Sequence, residues 1–513
     1  MNRLLAGLCL VPLLAGPVLA QSLTVAVQAD VRSINPGVNR DDGTDDFALQ
    51  MVEGLVGYDE GGTPQPLLAE KVDLSADGKT YTFTLRQGVK FHNGAELSSA
   101  DVLWNWQRYM DPKTDWRCTS EFDGRSGLKV ESVTAPDART VVMTIDKPNA
   151  LFLDTMARTD CAMTAIIHKD SVKADGTFDK PIGTGPYKFG EWKRGEFFSM
   201  TAFEGYASPR TDGKVDGYVG SKRPRLKEVK FLVVKDPATI TAGLTSGAID
   251  LSEVLPSDVQ QLRNAPKLDV VTAPTAVRHV LLIQTRDPVM KNQKLRQAIA
   301  AALDMDEVVA AASDNLGETN TSPIFSRSAY FGAVEKQGLK YDPARAKALL
   351  AEAGYKGEKI SILANKRPRV PSFSAAVVVQ AMLQAVGVNA EIEVLDWATQ
   401  LDRYNKGNYQ MQSFSFSARF DPAIAFEQFA GDKDKQPRKV WENPDALAKI
   451  DRLMTVADRA ERQKLVDELH RQVVEDVPLI FMFNGVDAIA HSKRVKGFQP
   501  WQSKLRMWEV TAD

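Results

Sequence analysis

Hydrophobic and polar residues alternate along the chain at two different periods, and the change of period divides it. In "SLTVAVQAD", and again in "DGKTYTFTLRQGVKFHNG", every second residue is apolar, the spacing of a strand with one buried face. Tyr81, Phe83 and Leu85 share such a face, between the turn pairs Asp77-Gly78 and Asn93-Gly94. "VESVTAPDARTVVMTID" and "PIGTGPYKFGEWKRGEFFSMTAF" each predict a pair of strands, the first pair hairpin-like. One helix interrupts them: "ADVLWNWQRYM", capped by Ser98 or Ser99 and stopped by Asp111-Pro112. The first third is therefore expected to be strand-dominated.

From about residue 290 helical and strand periods alternate. "LRQAIAAALDMDEVVAAA" is helical in composition and spacing, and "YDPARAKALLAEAGYKG" has Asp342 as cap, Pro343 at the first helical position and Gly354 past the end. "SAAVVVQAMLQAVG" predicts a helix leading into the strand "VNAEIEVLDW", then the short helix "ATQLDRYNKG", then the strand "SFSFSARFDP". That order is the grammar of βαβ units. In the last strand Phe414 and Phe416 alternate with serines until Pro422 ends the ladder, which places Arg419, Phe420 and Asp421 at its carboxyl end. Two more helices, "DALAKIDRLMTVA" and "RAERQKLVDELHRQVVED", precede the apolar strand "VPLIFMFN".

The first residues, "MNRLLAGLCLVPLLAGPVLAQS", carry one charge, Arg3, before an apolar run interrupted by Pro12 and Pro17. They predict a signal peptide, residues 1–20, cleaved after Ala20, and hence a periplasmic protein. The run is shorter than the roughly 20 apolar residues of a spanning helix. Cys9 follows Leu8 and lies too early for a lipid anchor. Removing Arg3 from the 64 basic residues leaves 63 against 66 acidic ones, a net charge of −3 that gives no footprint for nucleic acid. The length implies at least two lobes. No G-x-S-x-G, H-E-x-x-H, Walker A or helix-opening G-x-G-x-x-G stretch occurs, so the expectation is no enzyme, no cofactor and no metal. The five histidines show no metal spacing and read as hydrogen-bonded structural groups; "NRDDGTDD" misses the calcium-loop register and reads as a solvated loop.

The stretch "LLAEKVDLSADGKTYTFTLRQGVKFHNGAELSSADVLWNWQRYMDP" resembles the signature of the dipeptide, oligopeptide and nickel class of ABC-transporter solute-binding proteins, family 5. "PIGTGPYKFGEWKRGE", "LTSGAIDLSEVLPSDVQQL", "KLRQAIAAALDMDEVV", "LDWATQL" and "ERQKLVDELHRQVVEDVPLIFMF" resemble the family in the same order, over nearly the whole mature chain. The resemblance implies an α/β fold of the type II, Venus-flytrap kind: two lobes closing on a ligand between them, with the closed form recognised by an inner-membrane permease. Lobe I would comprise residues 21–278 and 486–513, with an extra β-rich subdomain at about 57–180; lobe II would comprise 279–485, with crossings near 279–285 and 479–487. A monomer is expected.

The resemblance also points to site residues. Trp397 matches a position where the family often has an aromatic ring in the pocket, a core tryptophan being the alternative. In peptide-binding relatives the strand after the short helix ends with an aromatic residue and then an aspartate that holds the peptide amine. Phe416 fits the first, Arg419 occupies the second, and Asp421 stands two places on, beside Phe420. Arg367 and Arg369 lie where dipeptide-binding relatives hold a carboxylate, and Asn35 sits in a turn that would offer backbone contacts. No histidine falls in "SFSFSARFDP", so nickel is not indicated. The ligand expected is a peptide or peptide-like organic solute; the alternatives are a non-peptide anion (opine, glutathione-like or organic acid), presentation of ligand to a chemotaxis transducer, and remotely a secreted hydrolase. Arg419 is expected to face the cleft and favour an anionic group, unless it only pairs with Asp421. Cys118 and Cys161, both retained after cleavage and both within the implied subdomain, are expected to form a disulfide, the alternative being two buried thiols.

Overall fold

A sheet of ten strands forms the frame. Its order is Ala390–Val394, Ile360–Ala364, Met411–Phe416, Leu268–Ile283, Leu479–Ser492, Leu251–Glu253, Ser22–Val27, Glu228–Val233, Phe197–Ala202 and Tyr187–Lys193. This computed structural model describes residues 22–38, 42–367 and 370–513, so the expected signal peptide and Arg369 lie outside the described residues.

The two longest strands, Leu268–Ile283 and Leu479–Ser492, run antiparallel through the middle and belong to both halves of the frame. Their register shifts between Pro274 and Arg278, opposite residues 484–486. Gly485 makes the close approach possible, because a Cβ there would stand 2.6 Å from Thr275 Oγ1 and 3.0 Å from Val277 Cβ. Asn484 closes the gap, donating to the Val277 carbonyl at 3.3 Å and accepting from Asn320 at 2.7 Å. The shift precedes the segment 279–285 where the family resemblance implies the first crossing, and its second side falls within 479–487.

On one side of the shift the strands are buried on both faces, as expected of a sheet covered by helices twice. Leu281 and Ile283 enter a core with the helices Gln293–Ala301, Met305–Ala312, Pro343–Glu352 and Ser372–Ala385. Val280 and Leu282 enter a second core with Trp397–Lys406, Pro422–Glu427, Pro444–Thr455 and Arg459–Asp476. The stretch "LRQAIAAALDMDEVVAAA" is two helices, because the Asp304 carboxylate accepts from the Asp306 and Glu307 amides at 3.1 and 3.3 Å and so starts a second one.

On the other side a separate antiparallel sheet, ordered Ala69–Leu74, Thr80–Leu85, Thr140–Ile145 and Val130–Asp137, buries Tyr81, Phe83 and Leu85. The helix Ser99–Met110 accompanies it, with Ser98 as its cap residue. Cys118 and Cys161 are bonded in the same core, with Cα atoms 5.7 Å apart. "NRDDGTDD" is not simply a solvated loop: Asp42–Ala48 is helical, Asp45 pairs with Arg117 at 3.0 Å, and Asp46 accepts from the Leu505 amide. Among the described residues, no helix is long and apolar enough to cross a membrane.

Candidate functional site in the cleft between the lobes

Where the long strands cross, a cavity of about 280 Å³ opens between the two sides. Pro256 and Ser257 contribute one wall; Lys366, Arg367 and Phe373 contribute the other; His279 and Phe483 come from the crossing strands themselves. The strand Ile360–Ala364 carries Arg367 to its carboxyl end, the usual location of ligand sites in open α/β sheets. The guanidinium is fixed there from two directions. Its Nε donates to Asn365 Oδ1 at 3.0 Å, and its carbon lies 3.8 Å over the Trp397 ring. Trp397 opens a helix capped by Asp396, which accepts from the Thr399 amide at 3.0 Å.

Arg367 forms no ion pair among the described residues, and burial lowers its pKa from the ordinary arginine value. Lys366 lies 4.3 Å over the Phe373 ring. His279 shares a hydrogen bond with Ser415 Oγ at 2.8 Å and packs against Phe483 at 4.5 Å; burial pushes its pKa down to about 4, so the imidazole is neutral at pH 7. Asp314 is the one carboxylate among the described residues of the cavity wall. Among the described residues the wall thus has two cations, one anion and a neutral histidine.

Arg419 does not line that cavity. It stands half-buried at the boundary between the lobes, donates to the Ala418 carbonyl at 2.7 Å, and forms no ion pair among the described residues. Its charge acts on Asp154 and Asp160 across the boundary and on Arg278 beneath it. Arg278 is buried with neutral partners only: the carbonyls of Pro323 and Ser417 and the side chain of Gln428. Burial first, then Arg419, pushes the Arg278 pKa down to about 9. The expected alternative, a pairing of Arg419 with Asp421, is absent.

The other expected residues are placed differently. Phe416 is 4% exposed and packs edge-on against Phe414 in the second lobe's core, so its ring is not at the cleft mouth. Asp421 caps the helix Pro422–Glu427 through the Ala423 amide at 2.7 Å and pairs with Arg462 at 2.5 Å; its oxygens are committed and do not stand in for an amine-binding aspartate. Phe420 projects into the first lobe, 4.8 Å from the Tyr58 ring and stacked on Trp501 at 5.8 Å. Asn35 accepts from Arg108 at 2.8 Å, which turns it toward the helix Ser99–Met110. The sequence reading missed His279, Lys366, Phe373 and Phe483, none of which carries a local signal. Every histidine has a hydrogen-bond partner, including His92 with the Gly185 carbonyl and His470 with that of Gln337.

A two-lobe α/β frame with long strands crossing between the lobes and a polar cavity beside the crossing defines a solute-binding protein. The model of the bacterial extracellular solute-binding proteins, family 5 Middle, matches residues 63–437, and the chain belongs to that family, whose members capture solutes for ABC importers. The chain is 25% identical over 509 residues to the glutathione-binding protein GsiB of Pectobacterium atrosepticum, covering 97% of this chain and 95% of that one. It is also 25% identical over 469 residues to the dipeptide-binding protein DppE of Bacillus subtilis, covering 87% and 83%. Among solved structures, HbpA2 of Haemophilus parasuis superposes with a TM-score of 0.81 at 24% identity, over 96% of this chain and 100% of that one. AgaA of A. tumefaciens R10 in complex with agropinic acid superposes with a TM-score of 0.68 at 25% identity, over 96% and 99%.

Proposed function

We propose that the chain captures a small peptide or peptide-like organic solute bearing at least one carboxylate and delivers it to the inner-membrane subunits of an ABC importer. One observation carries this reading: Arg367, a half-buried cation without a counter-charge among the described residues, is stacked on Trp397 in the wall of the interlobe cavity. A guanidinium held flat in this way matches a carboxylate with two parallel hydrogen bonds. Lys366 adds to the same field, and Arg278 and Arg419 extend it along the boundary. Asp314 offers one acceptor for an ammonium, so a zwitterion fits the wall and a simple cation does not.

Glutathione, dipeptides and agropinic acid, the solutes in the relatives' names, all carry carboxyl groups. A second reading, a non-peptide anion such as an opine, is favoured by the excess of cations over that one carboxylate. In either case the chain acts as a binder rather than a catalyst, in the periplasm after signal cleavage and as a monomer. The test is mass spectrometry of small molecules carried through purification, followed by a thermal-shift screen of dipeptides, glutathione, opines and organic acids. A carboxylate-bearing solute is expected to raise the unfolding midpoint. Shifts caused only by solutes lacking a carboxylate would overturn the reading.

A further inference from the structure

A larger cavity, of about 370 Å³, opens at the other end of the second lobe's strands. The cleft lies at the carboxyl end of Ile360–Ala364, whereas Ser361, near the start of that strand, lines this one. Gln284, just past the crossing strand Leu268–Ile283, and Gln410, just before Met411–Phe416, belong to the same edge of the sheet. The helix Trp397–Lys406 brings Arg403 and Lys406 in its last turn, and the segment after Ala430 brings Lys433. Gln284 ties these pieces together, donating to the carbonyls of Gly407 and Pro437 at 3.2 and 3.3 Å.

Among the described residues four cations and one carboxylate line this cavity, and all but one of those charges are committed. Arg286 pairs with Glu442 at 2.7 Å and Asp434 at 2.5 Å; Arg403 pairs with Glu393 at 2.8 Å; Lys406 pairs with Asp402 at 2.8 Å. Asp287 accepts from the Val289 and Met290 amides at 2.9 and 3.1 Å. Lys433 differs. It is 2% exposed, its Nζ donates to Thr285 Oγ1 at 2.6 Å, and no carboxylate pairs with it among the described residues. The charges that act on it are Glu442, already gripped by Arg286, and two cations, Arg286 and Arg296. Arg296 is itself buried, and its guanidinium donates to the backbone carbonyls of Met290, Lys291, Asp476 and Val477. Burial lowers the Lys433 pKa to about 8, which leaves the ammonium the main form at pH 7.

We propose that this cavity is a second small-molecule site, separate from the cleft, and that it takes a small oxyanion, a phosphate or a carboxylate, on the Lys433 ammonium. Burying a charge is costly unless a counter-charge or a full set of hydrogen bonds accompanies it. An ammonium has three donors, and Lys433 uses one of them, on a hydroxyl, among the described residues. An oxyanion in the cavity accepts from the other two and supplies the missing charge. A cationic solute would meet four like charges and a carboxylate already held by backbone amides. Because Lys433 is recessed, the anion reaches it as a free solute and not as the headgroup of a lipid in a bilayer. The inference stands apart from the carboxylate reading of the cleft, since the described residues lining the two cavities are entirely different.

The test uses the full mature chain carrying Arg367→Ala, so that the anion contact proposed for the cleft is already removed. Inorganic phosphate is titrated at constant ionic strength and followed by phosphorus NMR line broadening and by the unfolding midpoint. A saturable effect is expected, with acetate acting in the same direction and choline chloride giving none. Adding Lys433→Met should weaken phosphate binding at least about tenfold. Lys433→Gln, which keeps a polar side chain, should show the same loss and serves if the Met protein folds poorly. The absence of a saturable phosphate effect would overturn the site, and so would Lys433 variants that bind phosphate as the parent does. Cosedimentation with phosphatidylglycerol vesicles, without any effect of free phosphate, would overturn it in favour of a lipid headgroup. The Arg367→Ala background makes either result independent of the ligand reading for the cleft.

Discussion

Removing the Phe420 ring should loosen the contact between the lobes without loosening the fold of either lobe. In Phe420→Ala the second lobe loses a half-buried ring that touches Tyr58 at 4.8 Å and stacks on Trp501 at 5.8 Å with an interplanar angle of 17°. Full truncation of a core phenylalanine costs about 3–5 kcal/mol, and an aromatic pair adds about 0.5–1.5 kcal/mol beyond area burial. For a ring only partly buried, about 2 kcal/mol against the contact between the lobes is the reasonable figure, equivalent to about thirty-fold in its equilibrium. Solute affinity should weaken by up to that factor, mostly through faster dissociation, because the ring joins the two lobes between which the solute is held. Isothermal titration and stopped-flow dissociation, using the solute that gives the largest thermal shift, measure both. The ligand-free unfolding midpoint serves as the control and should barely move. Unchanged dissociation with a lowered ligand-free midpoint would refute the reasoning and place Phe420 among folding contacts. Gly62→Ala, whose Cβ would run into that ring, tests the same contact from the other side, although its φ of +81° adds backbone strain.

Two predictions concern the first lobe. Glu53 and Lys222 are both fully buried, paired at 2.8 Å, and Glu53 also accepts from Tyr206 at 2.7 Å and Thr184 at 3.0 Å; Lys222→Met should cost about 3–5 kcal/mol in urea unfolding, and adding Glu53→Met should recover part of it rather than add to it. The Cys118–Cys161 bond closes a loop of 43 residues, so reduction should lower stability by about 4 kcal/mol in the chain-entropy model; two titratable thiols in the unreduced, denatured protein would show the bond absent in solution.

What the sequence made legible was whatever depends on near neighbours. The alternation around Phe83 and the caps at Ser98 and Asp342 each depend on residues a few places apart, and each corresponds to an element found in the structure. The same grammar could have placed Asp421. "FDPAIAF" repeats the Asp-Pro start of "YDPARAK", and Asp421 caps its helix as Asp342 does, which removes it from the list of ligand groups. Phe420 lies at a strand end where the pattern indicated a site, and Arg367 at one to which the family resemblance pointed. The pattern could not distinguish a ring that meets the opposite lobe from one that meets a solute, because the partners, Tyr58 and Trp501, are far away along the chain. His279 and Phe483 were illegible for a related reason: the cavity they line exists only where two long strands cross, and neither strand records that locally.

The central claim, that Arg367 on Trp397 receives a solute carboxylate between the lobes, is tested most directly by the dissociation constant of the copurifying solute for wild type, Arg367→Ala and Arg367→Lys. The account predicts that Arg367→Ala weakens binding by at least about 2 kcal/mol, roughly thirty-fold, and that Arg367→Lys recovers only part of the loss, because a point charge cannot reproduce the bidentate grip. An Arg367→Ala protein that binds the solute as tightly as wild type would contradict it.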